Sequence, residues 1–362
     1  LAALDAFLEF VVDQRASDLH FTSGAPPTVR FNGELFPVPF RDLSEPEARR
    51  FLFEIMSPEQ RSTLEKTQEL DFAYELPGFA RFRANVFIHR GGIGAVFRVI
   101  PERVPTLAEM RLPLALRRLT TFTDGLVLFT GPTGSGKTTT QAAIIHELNC
   151  TRPVHILTIE DPIEFLHSER EAVITQRQVG THTGSFHDAL RSALRESPDV
   201  LLVGEMRDYE TISLALAAAE TGVLVFGTLH TGAAANAVDR IVDVFPEEQA
   251  EQVRGSVSVT LRAIVAQRLL PLADGSGRMA AVEMLFNNTA VAHMVREGKS
   301  HHIDAYLQQI DATGGNQSLD RALLGLVRSR RVTLEEALKQ ARYPQVLLSA
   351  ATDLPGNGDE ES

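Results

Sequence analysis

The stretch that decides the fold is Leu126-Val-Leu-Phe-Thr130, followed by Gly131-Pro132-Thr133-Gly134-Ser135-Gly136-Lys137-Thr138-Thr139. The first five residues form an apolar, β-prone run of strand length. The next eight, 131–138, satisfy G-x-x-x-x-G-K-[ST] in full. Residues 137–148 then read as a helix. A glycine-rich turn between a strand and a helix is the context that motif requires. Gly131, Gly134 and Gly136 let the backbone curl so that its N–H groups converge on phosphate oxygens, and the helix adds its positive N-terminal end. Lys137 is placed to reach β- and γ-phosphates, and the Thr138 hydroxyl to ligate Mg²⁺. Pro132, Thr133, Ser135 and Thr139 complete the expected nucleotide-binding loop, with ATP as its ligand.

The texture downstream extends this core. Apolar strands are expected at 126–130, 154–159, 200–204 and 223–229, separated by helices such as 137–148, 185–196 and 209–220. Strand–helix alternation with continuous apolar runs points to a mostly parallel sheet covered by helices. Ligands in such sheets lie outside the carboxyl ends of the strands. Asp199-Val-Leu-Leu-Val-Gly-Glu205 puts Glu205 at one such end, as a candidate for Mg²⁺ or for the attacking water. Glu160-Asp161-Pro162-Ile163-Glu164 follows another strand, where Pro162 stops it and three carboxylates are expected to gather. Acids beside an anionic nucleotide imply an intervening cation, so Glu160 and Asp161 join Thr138 and Glu205 as candidate Mg²⁺ ligands. His230 ends the strand Val223–His230. On its own it fits a satisfied core histidine as well as a functional group. From about 245 the chain is expected to be mainly helical, apart from a strand pair around Leu269 and Met279–Leu285.

Working towards the N-terminus, Leu4, Phe7, Leu8, Val11 and Val12 share one face of a helix. Short strands are expected at Leu19–Phe21 and Thr28–Phe31, with a hairpin at Asn32-Gly33. Ser44 with Glu47, and Ser57 with Gln60, have capping-box spacing. Alternating strands follow at 70–76, 79–89 and 93–100. This gives an α+β domain over 1–100. Pro101, Pro105 and Pro113 then mark 101–113 as an interdomain linker. The nucleotide domain is expected over 114–345, and 346–362 as a disordered acidic tail.

The 362 residues hold 35 Lys and Arg against 47 Asp and Glu, a formal charge of −12. Bulk nucleic-acid binding is disfavoured by that sign. One cysteine, Cys150, excludes an internal disulfide framework and a four-cysteine zinc module. No apolar run approaches the ~18 residues of a membrane span, so no direct membrane insertion is expected. Leu1–Phe10 carries Asp5 and Glu9 and does not read as a signal peptide. The chain opens on Leu1 rather than Met, as a trimmed chain would. A reducing, cytoplasmic setting is expected.

In this order, the motifs resemble those of the PilT/PilU retraction ATPases of type IV pili, within the secretion ATPase superfamily. Ser-Asp-Leu-His at 17–20 and Pro-Pro-Thr-Val-Arg-Phe-Asn-Gly at 26–33 resemble that family's PAS-like N-terminal domain. Residues 131–138 resemble its Walker A loop, 156–164 its Asp box, 201–208 its atypical Walker B and 219–231 its His box. The resemblance implies an α/β fold: a RecA-like P-loop ATPase core with an N-terminal α+β PAS-like domain. It implies a homo-hexamer that hydrolyses ATP with Mg²⁺ between subunits and drives pilus retraction by rotating its domains. Glu164 and Glu205 become the carboxylates of hydrolysis and His230 a nucleotide-state sensor. Arg81, Arg83, Arg98 and Arg103 become arginines that reach a neighbour's phosphates. The implied partners are an inner-membrane pilus platform protein and a paralogous retraction ATPase, at the inner face of the cytoplasmic membrane.

Two departures are visible. The first histidine of the family's His box is Val223, which implies a lost sensing contact. The family's C-terminal signature reads Ala290-Val-Ala-His-Met-Val-Arg-Glu297, with Ala292 and His293 replacing its first Arg and its Asn. The departures admit an accessory or divergent paralogue. The assembly and type II secretion branch is disfavoured by the single cysteine, and a nucleic-acid translocase by the acidic balance.

Overall fold

The computed structural model describes residues 2–31, 34–100, 103–309 and 314–351. They form two compact units. One comprises Leu1–Arg103 with Pro162–Leu166, the other Val104–Asp161 with His167–Ser362.

The first unit starts with helix α1 (Asp5–Asp13), whose Leu4, Leu8 and Val11 stripe is wholly buried, as its spacing predicts. Strands β1 (Asp18–Thr22), β2 (Thr28–Phe31) and β3 (Glu34–Pro37) follow. The Asn32-Gly33 hairpin lies outside the described residues, but β2 and β3 pair antiparallel, with Phe31 opposite Glu34. Helices α2 (Glu45–Glu54) and α3 (Pro58–Thr67) both open on the expected capping boxes. Strands β4 (Glu69–Leu76), β5 (Ala80–His89) and β6 (Gly92–Ile100) complete an antiparallel sheet of order β3-β2-β1-β6-β5-β4. Phe21, Phe82 and Phe97 fill its inner face. The alternate residues of β5 and β6 turn away from that core. In register across the sheet, Arg83 faces Arg98, Arg98 faces Asp18, and Asp18 faces Arg30.

The second unit is the α/β core. It contains β7 (Gly125–Thr130), α4 (Lys137–Thr151), β8 (His155–Glu160), β9 (Val173–Gln178), α5 (Phe186–Ala193) and β10 (Val200–Val203). It continues with α6 (Tyr209–Glu220), β11 (Leu224–Thr228), α7 (Ala234–Asp243), α8 (Ala250–Thr260), β12 (Leu261–Pro271) and β13 (Arg278–Phe286). The sheet order is β13-β12-β7-β11-β10-β8-β9, parallel except where β13 closes one edge. Strands β7, β10 and β11 are buried along their whole length, which is why they read as unbroken apolar runs. Strand β9 escapes the sequence pattern because its Thr175-Gln-Arg-Gln178 half is polar. The following helices are α9 (Thr289–Arg296), α10 (His302–Gln309), α11 (Leu319–Arg328), α12 (Leu334–Gln340) and α13 (Pro344–Ala351). Among the described residues no helix is long and apolar enough to cross a membrane.

Two expectations change here. Of the linker expected over 101–113, residues 101 and 102 lie outside the described residues and Arg103 closes the first unit. From Val104 the chain belongs to the second unit, where Leu107 and Leu112 are buried in one cluster with Leu116, Leu119, Val127 and Phe129. Proline forbids regular ladders but not burial, and the apolar residues between the prolines take it. The tail expected from 346 also starts later: α13 runs to Ala351 and Leu347 is fully buried against α11 and β12 residues. The polar residues 352–362 lie outside the described residues.

The buried position of Leu107 makes a stability prediction. Leu107→Ala should destabilise the second unit by roughly 2–5 kcal/mol, the range for a truncated core leucine. Urea unfolding checks this; a solvent-exposed linker leucine would change stability by less than about 0.5 kcal/mol.

Candidate nucleotide site

The carboxyl ends of β7, β11, β10 and β8 lie side by side in the second sheet. They lead respectively into the glycine loop, His230, Glu205 and Glu160–Asp161. Sheet order, not sequence proximity, brings these segments together.

The loop 131–136 is shaped by backbone that only glycine takes without strain. Gly131 has φ +140° and Gly136 φ +87°. A Cβ on Gly131 would overlap the Gln267 carbonyl oxygen, and one on Gly136 would sit 2.8 Å from Gln267 Nε2. Pro132, Thr133 and Gly134 are exposed at the tip, and Thr138 and Thr139 are half-buried in the first turn of α4. The Ser135 hydroxyl is buried with no hydrogen-bond partner. The Lys137 ammonium donates to the carbonyls of Gly131 (2.8 Å) and Pro132 (2.9 Å). Its burial pulls the lysine pKa below the usual value, while the Glu205 carboxylate opposes that shift.

Glu205 stands one residue past Gly204 beyond β10. Its Oε1 lies 3.0 Å from His230 Nε2 and also accepts from Arg207 Nε. The His230 pKa is lowered, first by desolvation and next by the Lys137 charge, with Glu205 pulling the other way. His230 is therefore neutral at neutral pH, and its Nε2–H donates to Glu205. The residue read as equally suited to a core role is thus a half-exposed partner of the strand-end acid.

Threonines lock these strand ends together. The Thr130 hydroxyl accepts from Thr231 N (2.9 Å) and lies 2.7 Å from both the Thr231 carbonyl and hydroxyl oxygens. Gln141 of α4 exchanges hydrogen bonds with Thr228 of β11. Below them, the fully buried Glu283 accepts from Ala234 N (2.9 Å) and pairs with Arg342 at 3.1 Å. It thereby caps the helix that follows the His230 loop. Sequence reasoning missed Gln267 and Glu283, because their partners lie far away in the chain and no local spacing marks them.

The three acids after β8 are not grouped as expected. Glu160 is buried and accepts from Thr158 Oγ1 (2.6 Å) and Gln176 Nε2 (3.2 Å). Asp161 is exposed. Glu164 belongs to the first unit, where its carboxylate is 4.0 Å from Arg83 Nη1. Arg83 also lies 3.7 Å from Asp71, and Arg98 Nε donates to Asp18 at 2.8 Å. Arg81 keeps Nε and Nη1 buried without a hydrogen-bond partner. Arg103 is exposed at the end of that unit. Val223 marks the departure from the expected His box. It precedes β11, at the opposite end of the strand from His230, and its carbonyl bonds Gly125 N at the start of β7. Seven residues of roughly 3.3 Å each separate the two positions. A histidine at 223 would not reach this protomer's phosphate loop.

The donors that converge here are amides, an ammonium, hydroxyls and carboxylates. They fit a phosphate chain and a hard cation. Among the described residues no three His, Cys, Asp or Glu side chains form a metal cage. A cation held chiefly by phosphate and water needs only one or two protein oxygens.

Comparison with known proteins agrees with this geometry. Residues 2–306 match the family described as type II/IV secretion system protein. This chain belongs to that family. It is 46% identical over 341 residues to the type IV pilus retraction ATPase PilT of Pseudomonas aeruginosa, covering 93% of this chain and 98% of PilT. It is 40% identical to the type IV pilus ATPase PilU of the same organism, covering 93% of this chain and 88% of PilU. The crystal structure of the pilus retraction motor PilT with bound ADP superimposes with a TM-score of 0.88 at 42% identity, covering 96% of this chain and 99% of that one. The chain is thus a PilT-like, ATP-hydrolysing enzyme with the expected RecA-like core and N-terminal domain.

The electrostatics of His230 can be measured directly. Its imidazole should titrate below the ordinary 6.5 in a histidine-selective NMR experiment. Glu205→Gln should lower the midpoint further, and Lys137→Met should raise it. Because the unfolded chain binds this proton at higher pH, the His230 contribution to stability falls as pH drops from the ordinary imidazole range towards the lowered value.

Proposed function

We propose that this chain is a hexameric, Mg²⁺-dependent ATPase motor that powers type IV pilus retraction. The observation that carries the chemistry is the Glu205 carboxylate, 3.0 Å from a neutral His230, on the sheet edge that also presents Lys137. The Lys137 ammonium exchanges its two loop carbonyls for β- and γ-phosphate oxygens. Glu205 orients the attacking water, and the His230 Nε2–H holds that carboxylate in place. Thr138, with Glu205 or Asp161, would hold Mg²⁺, which neutralises charge on the phosphate oxygens when bound. Glu160, buried and hydrogen-bonded, serves to hold the end of β8 and is a weaker ligand choice.

Arg81, Arg83, Arg98 and Arg103, with Glu164, sit in the first unit. In the proposed ring they serve a neighbouring subunit's nucleotide, and an arginine supplied this way is worth about 10³–10⁵ in rate. The overall likeness to PilT supports a cytoplasmic ring at the inner face of the cytoplasmic membrane, working on a platform protein of the pilus base. Ala292 and His293 lie on α9, half-buried and exposed respectively. They make none of the site's contacts, so they bear on partners, including a paralogous retraction ATPase, rather than on hydrolysis.

Four outcomes test this. Lys137→Ala should reduce turnover at least a hundredfold, as phosphate release assays would record; near-normal hydrolysis would overturn the site. Glu205→Gln should retain ATP while losing hydrolysis. An Arg81→Ala/Arg83→Ala chain mixed with a Lys137→Ala chain should regain activity if sites are shared between subunits, and no recovery at any ratio would count against a shared site. Light scattering with Mg·ATP should give six times the chain mass.

A further inference from the structure

Gln267 lies in β12 between Ala266 and Arg268 and, unlike the strand's two arginines, is almost wholly buried, at 3% exposed. Strand β12 runs parallel to β7, with Ala266 in register with Thr130. Gln267 is therefore level with the first residue of the phosphate loop. Its Nε2 donates to the Ser135 carbonyl at 2.8 Å, and its Oε1 accepts from the Thr140 hydroxyl at 2.9 Å. The Ser135 carbonyl can only accept, which fixes which end of the amide faces it. The same residue crowds two of the three loop glycines with positive φ. Its carbonyl oxygen leaves no room for a Cβ on Gly131, and its Nε2 would meet one on Gly136 at 2.8 Å.

We infer that Gln267 is a positioning residue that sets the orientation of the Ser135–Gly136 peptide, and through it the loop's grip on the nucleotide phosphates. This rests on reading 131–138 as a nucleotide-phosphate site. The peptide is planar and trans, so its carbonyl and N–H point in opposite directions. Holding the Ser135 carbonyl on Gln267 turns the Gly136 N–H to the far side, away from β12, where it joins the amides available to an anion. The Thr140 contact fixes the same glutamine to the first turn of α4, so loop and helix start are held at one point. A carboxylate at 267 would repel the Ser135 carbonyl. An apolar side chain would leave that carbonyl and the Thr140 hydroxyl buried without partners.

The test is steady-state ATP hydrolysis and calorimetric ADP binding on the full chain, for Gln267→Glu and Gln267→Met. A misoriented loop should raise KM for ATP and weaken ADP binding about tenfold to a hundredfold, with kcat per folded chain changed much less. A purely structural role would lower the folded fraction, and so kcat, while leaving KM and the ADP affinity of the remaining molecules unchanged. That result, or KM and ADP affinity within twofold of the unmodified chain, overturns the proposal. If neither variant folds, Thr140 decides. Thr140→Val should raise KM in the same direction and Thr140→Ser, which keeps the hydroxyl, should not; equal KM values in that pair overturn the proposal. If the unmodified chain binds no ADP, the nucleotide reading of the loop fails, a distinct result.

Discussion

A buried ammonium is the constraint on which the second unit depends. Lys137 is 6% exposed, and such a charge is tolerable only where oxygen atoms surround it. Two carbonyls of its own loop supply them, and they can do so only because Gly131 and Gly136 take backbone that side chains would block. The loop must in turn be braced from outside. Gln267 braces it from β12, Thr130 ties the end of β7 to Thr231, and Gln141 ties α4 to Thr228. These polar contacts are buried or half-buried, so each is strong where it is made and costly where it is missing.

The same ammonium organises the charges around it. It helps to keep His230 neutral, and Glu205 draws stabilisation from both groups. A neutral imidazole can give a hydrogen bond to the acid without competing with the lysine as a second full charge. This division of labour suits a site whose substrate carries several negative charges, since the Lys137 ammonium can exchange its loop carbonyls for phosphate oxygens.

The sequence made the central unit legible because its signals are local. The strand, glycine loop and helix of 126–151 follow one another directly, and the capping boxes at Ser44 and Ser57 need only three residues each. Glu205 and His230 were found because strand ends in a parallel sheet share an edge. What stayed hidden depends on distant pairing. Gln267 lies 132 residues from Ser135, and Glu283 lies 49 from the helix start it caps. Strand β9 ends in four consecutive polar residues, Thr175–Gln178.

The grouping of Pro162–Leu166 with the first unit has a mechanical consequence. The chain passes between the two units after Arg103, after Asp161 and again after Leu166. The last two crossings bracket a five-residue loan of backbone taken from the end of β8, beside Glu160. The chain leaving β8 therefore enters the first unit one residue after the strand ends, joined by covalent bonds that neither salt nor pH can weaken.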